Sequence, residues 1–224
     1  MDWQAIGLSL RLAACTTLVL VVLGLPLAHW LAYTRWRWRF LLEAVVALPI
    51  VLPPTVLGYY VLMGIGPLSP LGQLYEWVFG RRLPFTFQGL LVASVVYSLP
   101  FAVQPFASAF AAVDRRMMEA SWCQGVGGLG TFIRVVLPLA WPGVLTGVVL
   151  SFAHTLGEFG VVLMIGGDLA GTTRTASISI YDQVQALDYA AARQTSMALL
   201  FFSFVVLAIT YGLQRRMIHI WPTH

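Results

Sequence analysis

The stretch at residues 119–144, "EASWCQGVGGLGTFIRVVLPLAWPGV", decides how this chain is read. It sits among long apolar runs, yet Gly125, Gly127, Gly128 and Gly130 follow one another closely, with Pro138 and Pro142 beyond them. It is too broken to cross a bilayer and too apolar for an ordinary linker. Residues 114–125, "DRRMMEASWCQG", contain no helix breaker before the final glycine, and Met117, Ala120 and Ser121 share one face at i, i+3, i+4 spacing. Gly125 supplies a stop, and the glycines after it let the chain reverse because they accept positive φ. Thr131 reads as the N-cap of a second short helix, "FIRVVLP", which Pro138 ends; Pro142 suits the first turn of the next long segment. The expectation is helix, sharp turn, helix. Such a segment is either a projection onto which another protein docks or a plain connector.

Composition says what surrounds it. The chain has 224 residues, 59% hydrophobic and 10% charged, with mean hydropathy +0.82. Soluble domains carry roughly 25% charged residues, so lipid covers most of this surface. Residues 1–224 read as a single transmembrane domain, because no polar stretch reaches the ~50 residues of a separate soluble one. The net charge of +4 rests on arginine alone, scattered between apolar runs. That is the positive-inside pattern and not a nucleic-acid surface. Cys15 and Cys123 are too few and too far apart for a disulfide framework or a metal site. Neither a nucleophile triad nor a cluster with metal-ligand spacing is visible. The G-x-x-x-x-G-K-[ST] phosphate loop is missing too, so neither catalysis nor a resident cofactor is expected of this chain. The start, "MDWQAIGLSL", lacks the positive region of a cleaved signal, and the first apolar segment is expected to stay as a span.

A crossing helix needs ~20 mostly apolar residues. Five runs qualify: about 12–33, 44–65, 89–113, 144–165 and 196–213. Arg35, Arg37, Arg39, Arg115, Arg116, Arg134, Arg215 and Arg216 then share one side, against Arg11, Arg81, Arg82, Arg174 and Arg193 on the other. The bias places the N-terminus outside and the C-terminus in the cytoplasm. The 114–142 segment is then cytoplasmic, while 66–88 and 166–194 lie outside. Six tryptophans near span ends, Trp30, Trp36, Trp38, Trp77, Trp141 and Trp221, read as interfacial anchors.

Within the spans, polar chemistry is sparse. Pro49, Pro53 and Pro54 remove backbone donors in the middle of the second span and kink it. Freed backbone at that depth is tolerated where it packs on protein or lines a wet cavity, and Thr55 adds a hydroxyl beside it that can donate to an oxyanion. Helix packing alone would also account for the kink. Glu158 is the only acidic residue well inside a span. A buried carboxylate there is costly and would repel an anion, so it reads as structural, accepting hydrogen bonds near a gate; a proton relay is the other reading. Gly157 and Gly160 beside it would allow close helix approach, and His154 at i−4 is a candidate partner. Arg174, in the external "GTTRT", is a candidate contact for a docking protein or an arriving anion, or a solvated loop charge.

The 119–142 residues resemble the cytoplasmic signature of the membrane subunits of ATP-binding-cassette importers. Glu119, Ala120 and Ser121 stand where that signature has Glu-Ala-Ala, Gly125 stands at its glycine, and Leu137 and Pro138 stand at its Leu-Pro end. "LPIVLPPTVLGYYVL" (48–62) and "LGEFGVVLMIGGDLAGTTRT" (156–175) are similar to molybdate permeases, with sulfate and tungstate permeases sharing much of the pattern. The resemblance implies an all-α type I importer permease of about five spans whose first short cytoplasmic helix, carrying Glu119, Ala120, Ser121 and Gly125, couples to an ATPase. It also implies a homodimer, two copies of an ATP-binding subunit holding ATP and Mg, and an external molybdate-binding protein. Pro53, Pro54, Thr55, Gly157, Glu158 and Gly160 would belong to the path or gate. The rival class is a secondary transporter working without an ATPase.

Overall fold

The computed structural model describes residues 1–220, with side chains to residue 212. The Arg215 and Arg216 side chains and Trp221, read above as tail charges and an anchor, lie outside the described residues. Helix α1 (Trp3–Tyr33) starts well before residue 12, with Asp2 capping it by accepting from the Ala5 amide at 3.0 Å. At ~1.5 Å per residue its 31 residues run well beyond ~30 Å of hydrocarbon. The extra turns are held by protein: Ser9 accepts from the Ala176 amide at 2.8 Å, and Ser179 donates to Asp2 at 2.8 Å.

Helices α2 (Arg39–Val51) and α3 (Pro54–Ile65) stand where the second crossing was expected, and the chain turns by 116° between them. This is a break, where a kink was expected. Leu52 and Pro53 are both extended, with ψ of 136° and 137°, because each precedes a proline whose ring disfavours the helical conformation there. A short helix α4 (Pro70–Phe79) follows, and then the long α5 (Phe87–Ala111), capped by Thr86.

The next segment departs from expectation in one respect. α6 (Arg115–Cys123) forms as read, capped by Asp114 and ended at Gly125 with φ +79°. The second short helix is not separate. α7 (Gly128–Thr131), a π-helical turn (Phe132–Val136) and α8 (Leu137–Leu156) make one continuous run of 29 residues. Pro138 does not stop it, because a proline ring and its missing N–H conflict with the carbonyl four residues back, and the wider π turn just before it shifts that register. The crossing helix therefore lies earlier than residues 144–165. It ends at Leu156, and after a break at 157–159 the short α9 (Gly160–Gly166) continues. The short α10 (Ala176–Gln185) precedes the last long helix, α11 (Tyr189–Ile220).

Among the described residues four helices are long and apolar enough to cross a membrane, five when the bent α2–α3 pair is counted as one span. α1 lies along α5, and α8 packs on both. Phe106 and Phe110 of α5, Leu20 and Ala28 of α1, and Val144 of α8 fill the centre. The α5–α8 approach depends on Gly143 and Gly147. A Cβ on Gly147 would stand 2.5 Å from Phe106 Cε1, and one on Gly143 would run into Ala109. Small residues four apart are how membrane helices come close without a hydrophobic drive.

Candidate functional site

Two regions carry the residues singled out by sequence, Arg174 apart. The first is the projection at the end of the bundle that holds Arg35, Arg37, Arg115 and Arg116. Here α6 presents Glu119 and Ala120 outward; Glu119 pairs with Arg115 at 3.0 Å, an exposed i,i+4 bridge of small energetic weight. Ser121 points the other way. It is buried, and its hydroxyl lies 3.0 Å from that of Thr131, also buried. Thr131 is thus a brace and not an N-cap. The buried face of α6 is Met118 and Ser121, whereas Met117 is 51% exposed. Gly125 is held by its positive φ, and Val126 N–H donates back to Ser121 O at 3.2 Å. Leu137 and Pro138 lie where the π turn enters α8, away from α6.

The projection rests on an aromatic seat. Tyr33 donates to the Phe110 carbonyl at 2.7 Å, and the His29 ring lies edge-on to Tyr33, Phe110 and Phe132, the first residue of the π turn. Contacts thus run from α6 to α7 through the Ser121–Thr131 hydroxyls, and from the π turn to α1 and α5 through Phe132. Sequence reasoning missed the outward apolar residues of this region: Trp122, Leu129 and Ile133 are 45%, 74% and 54% exposed. The signal was available, since large apolar residues in a glycine-rich connector have no core to enter.

The second region is where the two interrupted crossings meet. α3 packs on α9. A Cβ on Gly160 would stand 2.7 Å from Pro54 Cβ, and one on Gly58 would stand 2.8 Å from Met164 Cβ, so both helices give up side chains to touch. The structure thus joins Pro54 and Gly160, which sequence placed far apart. Gly157 makes no such close approach; it is the C-cap of α8. Pro53 and Thr55 are exposed on the single chain.

Glu158 sits in the break between α8 and α9, 4% exposed. Ser94 of α5 donates to its Oε2 at 2.9 Å, and Oε1 has no hydrogen-bond partner among the described residues. The expected His154 partnership fails, because α8 ends at Leu156 and the i,i+4 geometry ends with it. His154 instead stacks on Phe101 with centroids 3.9 Å apart, and its Nδ1 lies 3.0 Å from Ser98 Oγ. Ser98 is also 2.8 Å from Thr155, whose hydroxyl donates to the Ser151 carbonyl. Ser98 then donates to Thr155, and the imidazole carries its proton on Nδ1. Ser98 thus ties α5 to His154 and Thr155 of α8, and Ser94 ties it to Glu158 in the break, while the Ser151 hydroxyl bonds within α8; sequence reading had not connected Ser94 and Ser98 to these partners.

At the far end, Arg174 is not a free cation. It forms a two-pronged pair with Asp168, with Nη2–Oδ2 at 3.0 Å, and Asp182 lies 3.9 Å away. The hydrogen bond to Asp168 holds its pKa above the ordinary arginine value. Among the described residues, no group of three or more His, Cys, Asp or Glu is placed to hold a metal.

Comparison with known proteins converges on one family. The pattern described as "Binding-protein-dependent transport system inner membrane component" matches residues 21–219. The molybdenum transport system permease protein of Azotobacter vinelandii is 51% identical, over 96% of this chain and 95% of its own length. That of Escherichia coli K12 is 35% identical, over 82% and 80%. A chain of a solved methionine ABC transporter in an inward-facing form superposes with a TM-score of 0.75, covering 96% of this chain and 95% of its own; at 16% identity this is a likeness of fold.

Proposed function

This chain belongs to the family of binding-protein-dependent transport system inner membrane components, with the type I importer permease architecture, and from that premise we propose that it carries molybdate across the bacterial cytoplasmic membrane. In this reading it works as a homodimer with two copies of a cytoplasmic ATPase, fed by an external molybdate-binding protein. The observation that carries the coupling role is α6: a short helix outside every span, with Glu119, Ala120, Met117 and Trp122 outward and Ser121 clamped to Thr131. An ATPase gripping the outward face would move α7 and α8 with it. The names of the relatives at 51% and 35% identity favour molybdate as cargo.

The path runs along the α2–α3 break. Pro53 and Thr55 face out of the single chain, toward the second copy, where the Thr55 hydroxyl offers a donor to a tetrahedral oxyanion. Gly160 supports this wall from behind, under Pro54. Glu158 is buried behind it too, which keeps an acidic group away from an anionic cargo. Arg174, already paired, clamps the outer 166–175 loop that receives the binding protein.

The test is reconstitution of the chain with its ATPase and binding protein in vesicles, with uptake driven by internal ATP. Glu119→Arg, or Gly125→Val at φ +79°, is expected to abolish coupled uptake and ATPase association together. Unchanged uptake in both variants would remove the coupling assignment. Titrating the binding protein with molybdate, tungstate and sulfate decides the cargo, and preferential sulfate binding would overturn molybdate.

A further inference from the structure

The loop "TRWRWR" (34–39) holds three of the arginines that mark sidedness and two of the anchor tryptophans. Residues 34–38 join α1 to α2, two membrane-crossing elements. With both ends tied to spans and ~3.5 Å of reach per residue at most, the loop stays at headgroup depth. Trp36, Trp38 and Phe40 are 50%, 44% and 54% exposed there. Trp30 and Trp36 lie 6.0 Å apart, and the Arg37 guanidinium stands 5.1 Å from the Trp38 ring centroid, a cation–π distance that leaves its N–H donors free at the rim. Arg39 is taken by Glu43 at 3.0 Å, whereas Arg35 and Arg37 have no ion pair among the described residues. Arg35 also borders a hollow of about 310 Å³ shared with Tyr33, Met118 and Trp122.

We propose that Arg35 and Arg37, with Trp36 and Trp38 seated in the interface, bind the headgroup of an anionic phospholipid in the leaflet at this end of the bundle. The chemistry is complementary: two uncompensated cations at phosphate depth, flanked by rings that favour the boundary between apolar tails and water. Each arginine is expected to contribute roughly fivefold in affinity at moderate salt, falling as ionic strength rises. The proposal does not depend on the transport reading, and no part of its test involves an oxyanion.

The experiment uses the full chain, with any ATPase that purifies with it, in nanodiscs of phosphatidylcholine alone or mixed with phosphatidylglycerol. The wild type is expected to melt at higher temperature in the mixed discs, with phosphatidylglycerol retained through detergent extraction as seen by native mass spectrometry. Arg35→Gln/Arg37→Gln should keep the wild-type melting point in phosphatidylcholine, lose most of the phosphatidylglycerol shift and retain at least tenfold less of that lipid. Arg81→Gln/Arg82→Gln, at the opposite end, should change neither. Equal phosphatidylglycerol shifts in wild type and the Arg35/Arg37 variant would overturn the proposal, as would a wild type indifferent to the lipid. A variant that keeps the lipid shift but sheds the ATPase would overturn it too, reassigning the loop to protein docking.

Discussion

Ser94 and Glu158 are the pair by which a carboxyl group is accommodated inside the bundle. Removing the one donor that Glu158, 4% exposed, has among the described residues costs about 1–3 kcal/mol. Ser94→Ala is therefore expected to lower the melting temperature in detergent, while Ser94→Thr, which keeps a hydroxyl, recovers most of it. The Ser121–Thr131 pair makes a different prediction. Ser121→Ala should cost only about 1 kcal/mol of stability but loosen α6 from α8, so that ATPase activity of the complex persists while uptake per ATP falls severalfold. Parallel loss of both activities would mean that the hydroxyl pair is structural only. Residue types were legible here and partners were not: Glu158 was expected to need hydroxyl donors, and it has one, but His154 was the wrong choice of neighbour. Serines 94 and 98 lie some sixty positions away along the chain, and no local pattern connects them.

At the scale of elements, the joint between α3 and α9 is the most exposed to substitution. Gly160→Val would drive its side chain into Pro54, and Gly147→Leu would drive one into Phe106, since even a bare Cβ would lie 2.7 and 2.5 Å from those side chains. Overpacking of this kind costs typically 1–3 kcal/mol. Both variants should melt earlier, but Gly160→Val should also reduce uptake in proportion to the surviving folded protein or more, because it separates the two interrupted helices along the proposed path. Sequence reading located the α2–α3 interruption, as a kink, from its prolines, whose constraints are local; the break between α8 and α9 it did not expect, reading 144–165 as one crossing. It placed the fourth crossing too late because it treated Pro138 as a stop; the π turn that admits a proline mid-helix starts at Phe132, whose ring packs on His29 and Phe110, far from it in sequence. The "GVLTG" spacing at 143–147 was available as a close-contact motif and was not used.

At the scale of the whole molecule, the prediction concerns sidedness. Cys123, at the end of α6, is exposed, and Cys15 is partly buried within α1. In a Cys15→Ser background, a membrane-impermeant maleimide should label Cys123 in inside-out vesicles and not in right-side-out ones. Labelling from the external side would invert the topology and, with it, the proposed position of the ATPase. The exposed apolar faces fit the same picture. Val45, Leu48, Val51, Tyr59 and Tyr60 on the α2–α3 crossing, and Leu200, Phe201 and Phe204 on α11, are uncovered on the single chain, where lipid or a second copy would meet them. Crosslinking in native membranes is expected to give a dimer through the α2–α3 face, leaving α11 accessible to lipid.

Hydropathy, arginine placement and the positions of proline and glycine determined by themselves that this is an all-helical membrane domain with a disturbed second crossing, expected as a kink, and a short helix between the third and fourth. Those features follow from solvent preference and backbone constraint, which act on each residue where it stands. Tertiary structure alone decided that Ser121 faces inward, that Glu158 meets Ser94, that Pro54 lies on Gly160 and that Arg174 is already paired. Each is a contact between residues brought together by helix packing, and helical periodicity says which side a residue takes without saying what waits on that side.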